Sequence, residues 1–365
     1  MSHRTIIADG DDQASEKAKE TVMARLFQRN PQLNLALQGG GAHGAFTWGV
    51  LDYLLEDGYC EFEGISGTSA GAMNAVAMAH GWMAQGREGA RQALQDFWQA
   101  VASSAPFQLA SQNDNDQLTV SPALNFVMGL THYFSPYQLN PMDHNPLRKI
   151  VESQFDFARL SQRSPFKLFI AATNANTGHL RLFHRHELTA DALLASACLP
   201  TLHHSIEIEG EPYWDGGYSA NPAIFPLFYE CKSDDILLIL LSPMRLGELP
   251  RSAQEIKNRA MDIAFNSAFL REMRMIVQAR DFAGLSWLPY GRLERNLARI
   301  RFHMIDPDER MFALPTESKL VAYLPFFEML RDMGRVQAAL WMDSHRQQLG
   351  KDSTIDLKAL FGQGL

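Results

Sequence analysis

The chain has 365 residues, 46% of them hydrophobic and 20% charged, so it can build a large core and is not a disordered chain. A net charge of −8 speaks against nucleic-acid binding, which calls for a basic excess, but leaves lipid contact open, because burial of apolar groups drives that. Cys60, Cys198 and Cys231 are far apart and make neither a metal spacing nor a disulfide framework, which points to a reducing compartment.

Residues 1–30 are charged and weakly patterned, as in a flexible arm with at most one short helix, and they lack the apolar centre of a signal peptide. Leu33 to Gln38 is a short apolar run ending in glycines, the pattern of a buried strand. From Gly44 to Leu55, Phe46, Val50, Tyr53 and Leu54 recur at three- and four-residue intervals, as on a helix face. Phe62 to Ser66 reads as a second strand. Ala70 to Ala79 reads as a packed helix, and Arg87 to Val101 as a third.

Residues 103–142 change character, with four prolines and loose apolar clusters. Two readings of this irregular insertion stay open, a lid over a substrate site and a plain surface excursion. Phe107, Leu109, Phe126, Met128, Tyr133 and Phe134 are the groups a lid or membrane-facing surface would use. Regular patterning then resumes. Strands are predicted at Lys167–Ala172, His179–Phe183, Ile206–Ile208, Asp235–Leu241 and Ile300–Ile305. Helices are predicted at Ala190–Ala197, Ala253–Asp281 and Glu317–Gln348. Strands alternating with helices imply a mostly parallel sheet covered on both faces. The strongest apolar run, Ile236 to Leu241, is far short of the ~18 residues that span a bilayer. The expectation is a cytoplasmic protein with at most peripheral membrane contact.

Gly39, Gly40, Gly41 and Gly44 spell G-x-G-x-x-G after the first strand, the spacing that cradles a dinucleotide pyrophosphate. That reading also needs an acidic residue ending the second strand. Here Glu61 and Glu63 stand at its start, and no G-K-[ST] follows the glycines, which excludes a P-loop. A second motif, Gly67-Thr68-Ser69-Ala70-Gly71, is G-x-S-x-G between a strand and a helix. That is the setting of a nucleophile elbow, although a capping serine in a glycine-bounded turn has the same spelling. A serine nucleophile needs an oxyanion hole, and the bare N–H groups of the neighbouring glycine loop can supply it. For the base, two routes remain on local sequence. One is a histidine, with His179, His184, His186, His203, His204, His303 and His345 as candidates. The other is Asp215, which opens Asp215-Gly216-Gly217 after a strand, though D-G also marks hairpin turns.

Together these segments resemble the patatin-like phospholipases. The matching stretches are G-G-G-x-basic-G at Gly39 to Gly44, G-T-S-A-G at Gly67 to Gly71, and D-G-G at Asp215 to Gly217. Ala195 to Pro200 is similar to the family's A-S-x-x-x-P. The resemblance spans residues 33–225. It implies a three-layer α/β/α sandwich with a mostly parallel central sheet, a Ser–Asp dyad and hydrolysis of lipid acyl esters. Most members need no metal, so no cofactor is expected. Carried over by position, Ser69 is the nucleophile and Asp215 the base. Gly39, Gly40, Gly41 and Gly44 form the oxyanion hole, with Gly40 and Gly41 foremost, and Gly67, Gly71, Gly216 and Gly217 shape the turns. The chain departs from the family at His43, where arginine or lysine is usual; an imidazole there opens the way to pH sensitivity or an altered headgroup preference.

The expected organisation is an arm over 1–30, a patatin-like catalytic domain over 31–250, and a mainly helical C-terminal part over 251–365 packed on it. The expected partner is a lipid or a membrane surface. Two other functions fit the same residues: a Ser–His–Asp esterase or thioesterase acting on a soluble acyl substrate, and a non-catalytic member that binds lipid or a protein.

Overall fold

The computed structural model describes residues 30–104, 110–112, 118–120, 129–131, 133–244, 249–285 and 291–362. Nearly all of the expected arm, residues 1–29, lies outside the described residues, as do Phe107, Leu109, Phe126 and Met128 of the insertion. In chain order the strands are β1 (Gln32–Leu37), β2 (Glu61–Thr68), β3 (Ala110–Gln112), β4 (Leu118–Val120), β5 (Lys167–Asn174), β6 (Leu180–His184), β7 (Ile206–Ile208), β8 (Glu211–Asp215), β9 (Asp235–Ile239) and β10 (Arg301–Ile305). The helices used below are α1 (Gly44–Asp57), α2 (Ala70–Ser103), α3 (Ala190–Ser196), α4 (Phe225–Glu230), α5 (Ala253–Leu285), α6 (Arg292–Arg299) and α7 (Leu324–His345).

Eight strands form one sheet in the order β10-β9-β1-β2-β5-β8-β7, with β6 also paired to β5. β10, β9, β1, β2 and β5 are parallel, whereas β6 and β8 run antiparallel to β5 and β7 antiparallel to β8. The central strands are buried on both faces, which is why they read as unbroken apolar runs. Successive side chains feed two cores. Leu33, Leu35 and Leu37 pack with α1, α2 and α7, while Ala36, Ile236 and Leu238 pack with α4, α5 and α6. The result is a three-layer α/β/α sandwich, as the sequence implies.

Gln32–Leu365 form one compact unit, and the residues after 250 enter it directly: β10 extends the sheet and α7 packs on α1. The crossing of α1 and α7 is close enough to need glycine on both sides. A Cβ on Gly49 would lie 1.9 Å from the Arg331 carbonyl oxygen, and one on Gly334 would lie 2.1 Å from that of Phe46.

The second and third predicted helices are both present, as the two arms of α2 on either side of a non-helical kink at Gln85 and Gly86, where Gly86 has φ +61°. One helix expectation needs correction: the predicted helix Glu317–Gln348 is broken into a 3-10 turn, Thr316–Leu320, and α7. Pro325 accounts for the break, because proline disfavours helical backbone in the residues before it and is tolerated only in a first turn. Tyr133 and Phe134, the described members of the apolar set in the insertion, are exposed. Among the described residues no helix is long and apolar enough to cross a membrane.

Candidate active site

β1 and β2 lie side by side and parallel, with Leu37 level with Gly67, so the turns that follow them open on the same edge of the sheet. Ser69 occupies the turn between β2 and α2 with φ 54° and ψ −121°, a left-handed conformation that costs a side-chain-bearing residue energy and needs outside constraint. The constraint is crowding. A Cβ on Gly71 would lie 2.2 Å from the Leu37 carbonyl oxygen, and one on Gly67 would lie 2.7 Å from that of Gly71. The elbow is therefore pressed against β1, and glycine is the residue that fits at both its ends.

Asp215 reaches the same place from the other direction. β8 runs antiparallel to β5, whereas β2 runs parallel to it. Thr68 is level with Ala171, and Asp215 with the next residue, Ala172. Only this alanine-lined stretch of β5 separates the two, which puts the Ser69 hydroxyl near enough to the Asp215 carboxylate to favour its charged form. Asp215 is 1% exposed, and burial pushes its carboxyl up to about 7, against the opposing pull of the Gly217 N–H and of Ser69. The Gly217 N–H donates to Oδ1 at 2.7 Å. The cover comes partly from Phe265 of α5, which sits where a Cβ on Gly217 would project and stands 4.6 Å from the Tyr218 ring.

A short segment at the end of α3 braces both residues. The Ser196 hydroxyl oxygen accepts from the Ser69 N–H at 2.9 Å, and the Cys198 carbonyl accepts from the Asp215 N–H at 2.8 Å. These residues belong to the Ala195–Pro200 stretch that the sequence singles out; its physical role becomes visible only here. Sequence reasoning missed Asn221, whose Oδ1 accepts from the Gly39 N–H at 2.7 Å. It also missed Gln38, which ties the end of β1 to Leu241 and to Asn266 of α5. The buried amide of Gln38, just before the glycines, was the available signal.

The four loop glycines do not play one role. The Gly39 N–H is taken by Asn221. The Gly44 N–H bonds back to the Gly41 and Ala42 carbonyls, and Gly44 packs on Ala70 and Trp98 where α1 meets α2. The Gly40 and Gly41 N–H groups have no acceptor among the described residues. His43 is buried. Its Nε2 lies 2.7 Å from Ser318 Oγ, and burial, helped by nearby Lys319, lowers its pKa to about 3. The imidazole is thus neutral across the physiological range, which corrects the expectation of pH sensitivity at this position.

Two of the histidines nominated for a triad, His303 and His345, are engaged elsewhere. His303 bonds Asp235 at 2.9 Å, and Asp235 begins β9, at the end of the strands away from Ser69. His345 Nδ1 bonds the Trp341 carbonyl one turn back. Accordingly, His345→Ala is expected to leave ester turnover within about twofold of the parent, as for most surface substitutions remote from a site; initial rates on a chromogenic ester check this.

A cavity of about 650 Å³ opens over Ser69 and Asp215 and is lined also by Gly39, Gly40 and Gly41. One wall is apolar, with Met73, Phe97, Trp98, Val101 and Phe327 from α2 and α7. The lining contributed by α5 and the Thr316–Leu320 turn adds the polar side chains Gln254, Asn258, Asp262, Asn266 and Lys319. A cavity lined by apolar side chains together with a few hydrogen-bonding ones is the form of site that takes an amphipathic ligand.

The chain matches the family model for patatin-like phospholipase over residues 35–228. It is similar in structure to VipD from Legionella pneumophila, with a TM-score of 0.39 and 17% identity over 87% of this chain and 67% of that one. It is also similar to the ExoU–SpcU complex of the Pseudomonas aeruginosa type III secretion system, with a TM-score of 0.27 and 14% identity over 88% of this chain and 76% of that one. No curated protein matches it. The matched span covers more than half of the chain and runs from β1 to α4, taking in every strand that carries Ser69 or Asp215. On that ground the chain belongs to the patatin-like phospholipases, a family of lipid acyl hydrolases.

Proposed function

We propose that this protein is a serine acyl hydrolase of the phospholipase A type, cleaving fatty-acyl esters of phospholipids or related lipids with Ser69 as nucleophile and Asp215 as base. The observation that carries the reading is the fully buried Asp215 carboxylate, lining the same partly apolar cavity as a serine held in a strained turn. A solvated aspartate, with its ordinary pKa of about 3.9, is a weak base for a hydroxyl. Raised to about 7, it holds a proton far more strongly and is still mostly ionised in mildly alkaline solution.

The acyl chain lies along Met73, Phe97, Trp98 and Phe327, and the ester carbonyl sits over Ser69. Ser69 Oγ attacks the carbonyl carbon while Asp215 takes its proton. The oxygen that becomes negative is met by the N–H groups of Gly40 and Gly41. The intermediate collapses, the alcohol leaves with the proton from Asp215, and the acyl-serine remains. Water then attacks that ester, again giving its proton to Asp215. Collapse releases the fatty acid, and the proton returns to Ser69.

Because the base works only when ionised, kcat/KM is expected to rise about tenfold per pH unit below pH 7 and to level off above it. A pH–rate profile on a soluble ester checks this; a limb centred near pH 4 would mean that burial does not tune Asp215. Incubation with mixed lipids and mass analysis of the products tests the activity itself. A fluorophosphonate that leaves Ser69 unlabelled in the folded protein would favour a binding role instead.

A further inference from the structure

The C-terminal third lies outside the span matched to the family, yet one of its turns is pressed against the glycine loop. Gly41 takes φ +59°, and a Cβ there would stand 2.2 Å from the Lys319 carbonyl oxygen. Next to this contact, Ser318 and His43 form a buried pair with Nε2 and Oγ 2.7 Å apart. The direction of that hydrogen bond follows from proton counting. The Ser318 hydroxyl donates its one proton to the Pro315 carbonyl at 2.6 Å, so toward His43 its oxygen can only accept. His43 therefore carries its proton on Nε2, and a neutral ring in that tautomer satisfies the pair completely. The turn is held from its other side by α5, where Lys319 Nζ meets Asp262 at 2.7 Å and Asn258 donates to Glu317 at 3.2 Å.

These contacts converge on one short stretch of backbone. The loop has two N–H groups without an acceptor among the described residues, at Gly40 and Gly41, and glycine backbone is intrinsically loose. An oxyanion hole needs its donors held in place before the charge develops. Asn221 holds the loop at Gly39, and the hydrogen bonds of α1 take over at Gly44. Between those two points, the His43–Ser318 bond is the side-chain hydrogen bond to the loop among the described residues, beside packing of Lys319 on Gly41, of Leu241 on Gly40 and of Phe326 on the His43 ring.

We infer that Ser318 and His43 are positioning residues for the oxyanion loop, so that the turn Thr316–Leu320 is a working part of the catalytic site. The inference rests on the hydrolase reading for its kinetic effect, but not for its structural effect.

The test compares Ser318→Ala, His43→Leu and His43→Gln with the parent in two ways. One measurement is kcat and KM on a soluble p-nitrophenyl ester, and the other is hydrogen exchange across residues 39–44. Removing an oxyanion donor outright costs about 10²- to 10³-fold in kcat, so loosening two of them is expected to cost about tenfold. KM should stay within about twofold, because ground-state binding of the acyl chain does not involve the loop. Exchange over 39–44 should quicken in Ser318→Ala and His43→Leu while the β9 and β10 amides keep their protection. His43→Gln keeps an N–H donor at the Nε2 position and is expected to recover most of the kcat and the slow exchange. Parent-like kcat and loop exchange in folded Ser318→Ala would overturn the inference. So would a loss of kcat with unchanged exchange, or equal loss in the glutamine and leucine variants. If the alanine variant does not fold, Ser318→Cys, nearly the same size but a poor acceptor, takes its place. If the parent itself turns over no ester, the hydrolase reading fails and loop exchange alone decides the positioning role.

Discussion

Asp215→Asn is expected to lower kcat/KM at pH 8 by about 10³-fold, within the range that general-base groups supply, and to make the protein more stable at the same time. The amide keeps the shape of the side chain and can still accept from the Gly217 N–H, but it cannot take the Ser69 proton. The stability gain follows from burial. The folded pKa, about 7, is raised above the unfolded value near 3.8, so the native protein holds this proton where the unfolded chain has lost it. The contribution of Asp215 to stability is therefore fully present below about pH 4 and falls away as pH rises to 7. At about 1.4 kcal/mol per pKa unit, the carboxylate costs the fold up to about 4 kcal/mol above pH 7, and asparagine removes that cost. Thermal melts at pH 4.5 and pH 8 check the sign, since the variant should gain little at the first and several degrees at the second. Ser69→Ala should lose activity to a similar extent without this pH-dependent gain. Near-parent turnover in Asp215→Asn alongside an inactive Ser69→Ala would rule the dyad out.

Gly41→Ala is expected to cost about 10²-fold or more in kcat and a few kcal/mol in stability, while Gly40→Ala is expected to be much milder in stability. The two glycines are neighbours in one motif, yet their surroundings differ. At Gly41 the backbone has φ +59°, strained for any other residue, and a Cβ would run into the backbone carbonyl of Lys319. The loop and the Thr316–Leu320 turn would have to part, displacing the donors that face the carbonyl oxygen. At Gly40 the backbone is extended, with φ 178°, and a Cβ would meet the Leu241 Cδ1 methyl at 2.9 Å, the movable end of a side chain. Melting temperatures and ester kinetics of the pair decide this. Equal destabilisation by the two alanines would mean that the Lys319 contact does not hold the loop.

The glycine-bounded motifs were legible because each is a local demand. A strand that must turn at once into a helix requires small residues at Gly67 and Gly71 whatever lies around it, and D-G-G after a strand marks a turn in the same way. The buried strands were legible for a similar reason, since a parallel strand covered on both faces has to be apolar throughout. Less legible was everything that depends on distant partners. The cover over Asp215 is an example, since Phe265, fifty residues on, supplies part of it. Sequence pattern joined Glu317 to Gln348 in one helix, because apolar spacing continues across the point where Pro325 interrupts the backbone.

His43 shows the division most clearly. By itself the sequence established a mostly parallel α/β sandwich, an elbow at Ser69, an aspartate in a glycine turn, and a histidine where a basic side chain was expected. The first three follow from residues close together in the chain, and the fourth from the resemblance to the patatin-like family. Whether that histidine faces substrate or protein was decided by the tertiary structure, which buries it against Ser318, 275 positions away. The same holds for the division of labour among the four glycines, settled by Asn221 for Gly39, by Trp98 for Gly44 and by Lys319 for Gly41. The physical reason is common to all of these: a backbone N–H or a buried ring is defined by what occupies the space around it, and in this protein that space is filled by residues distant in the chain.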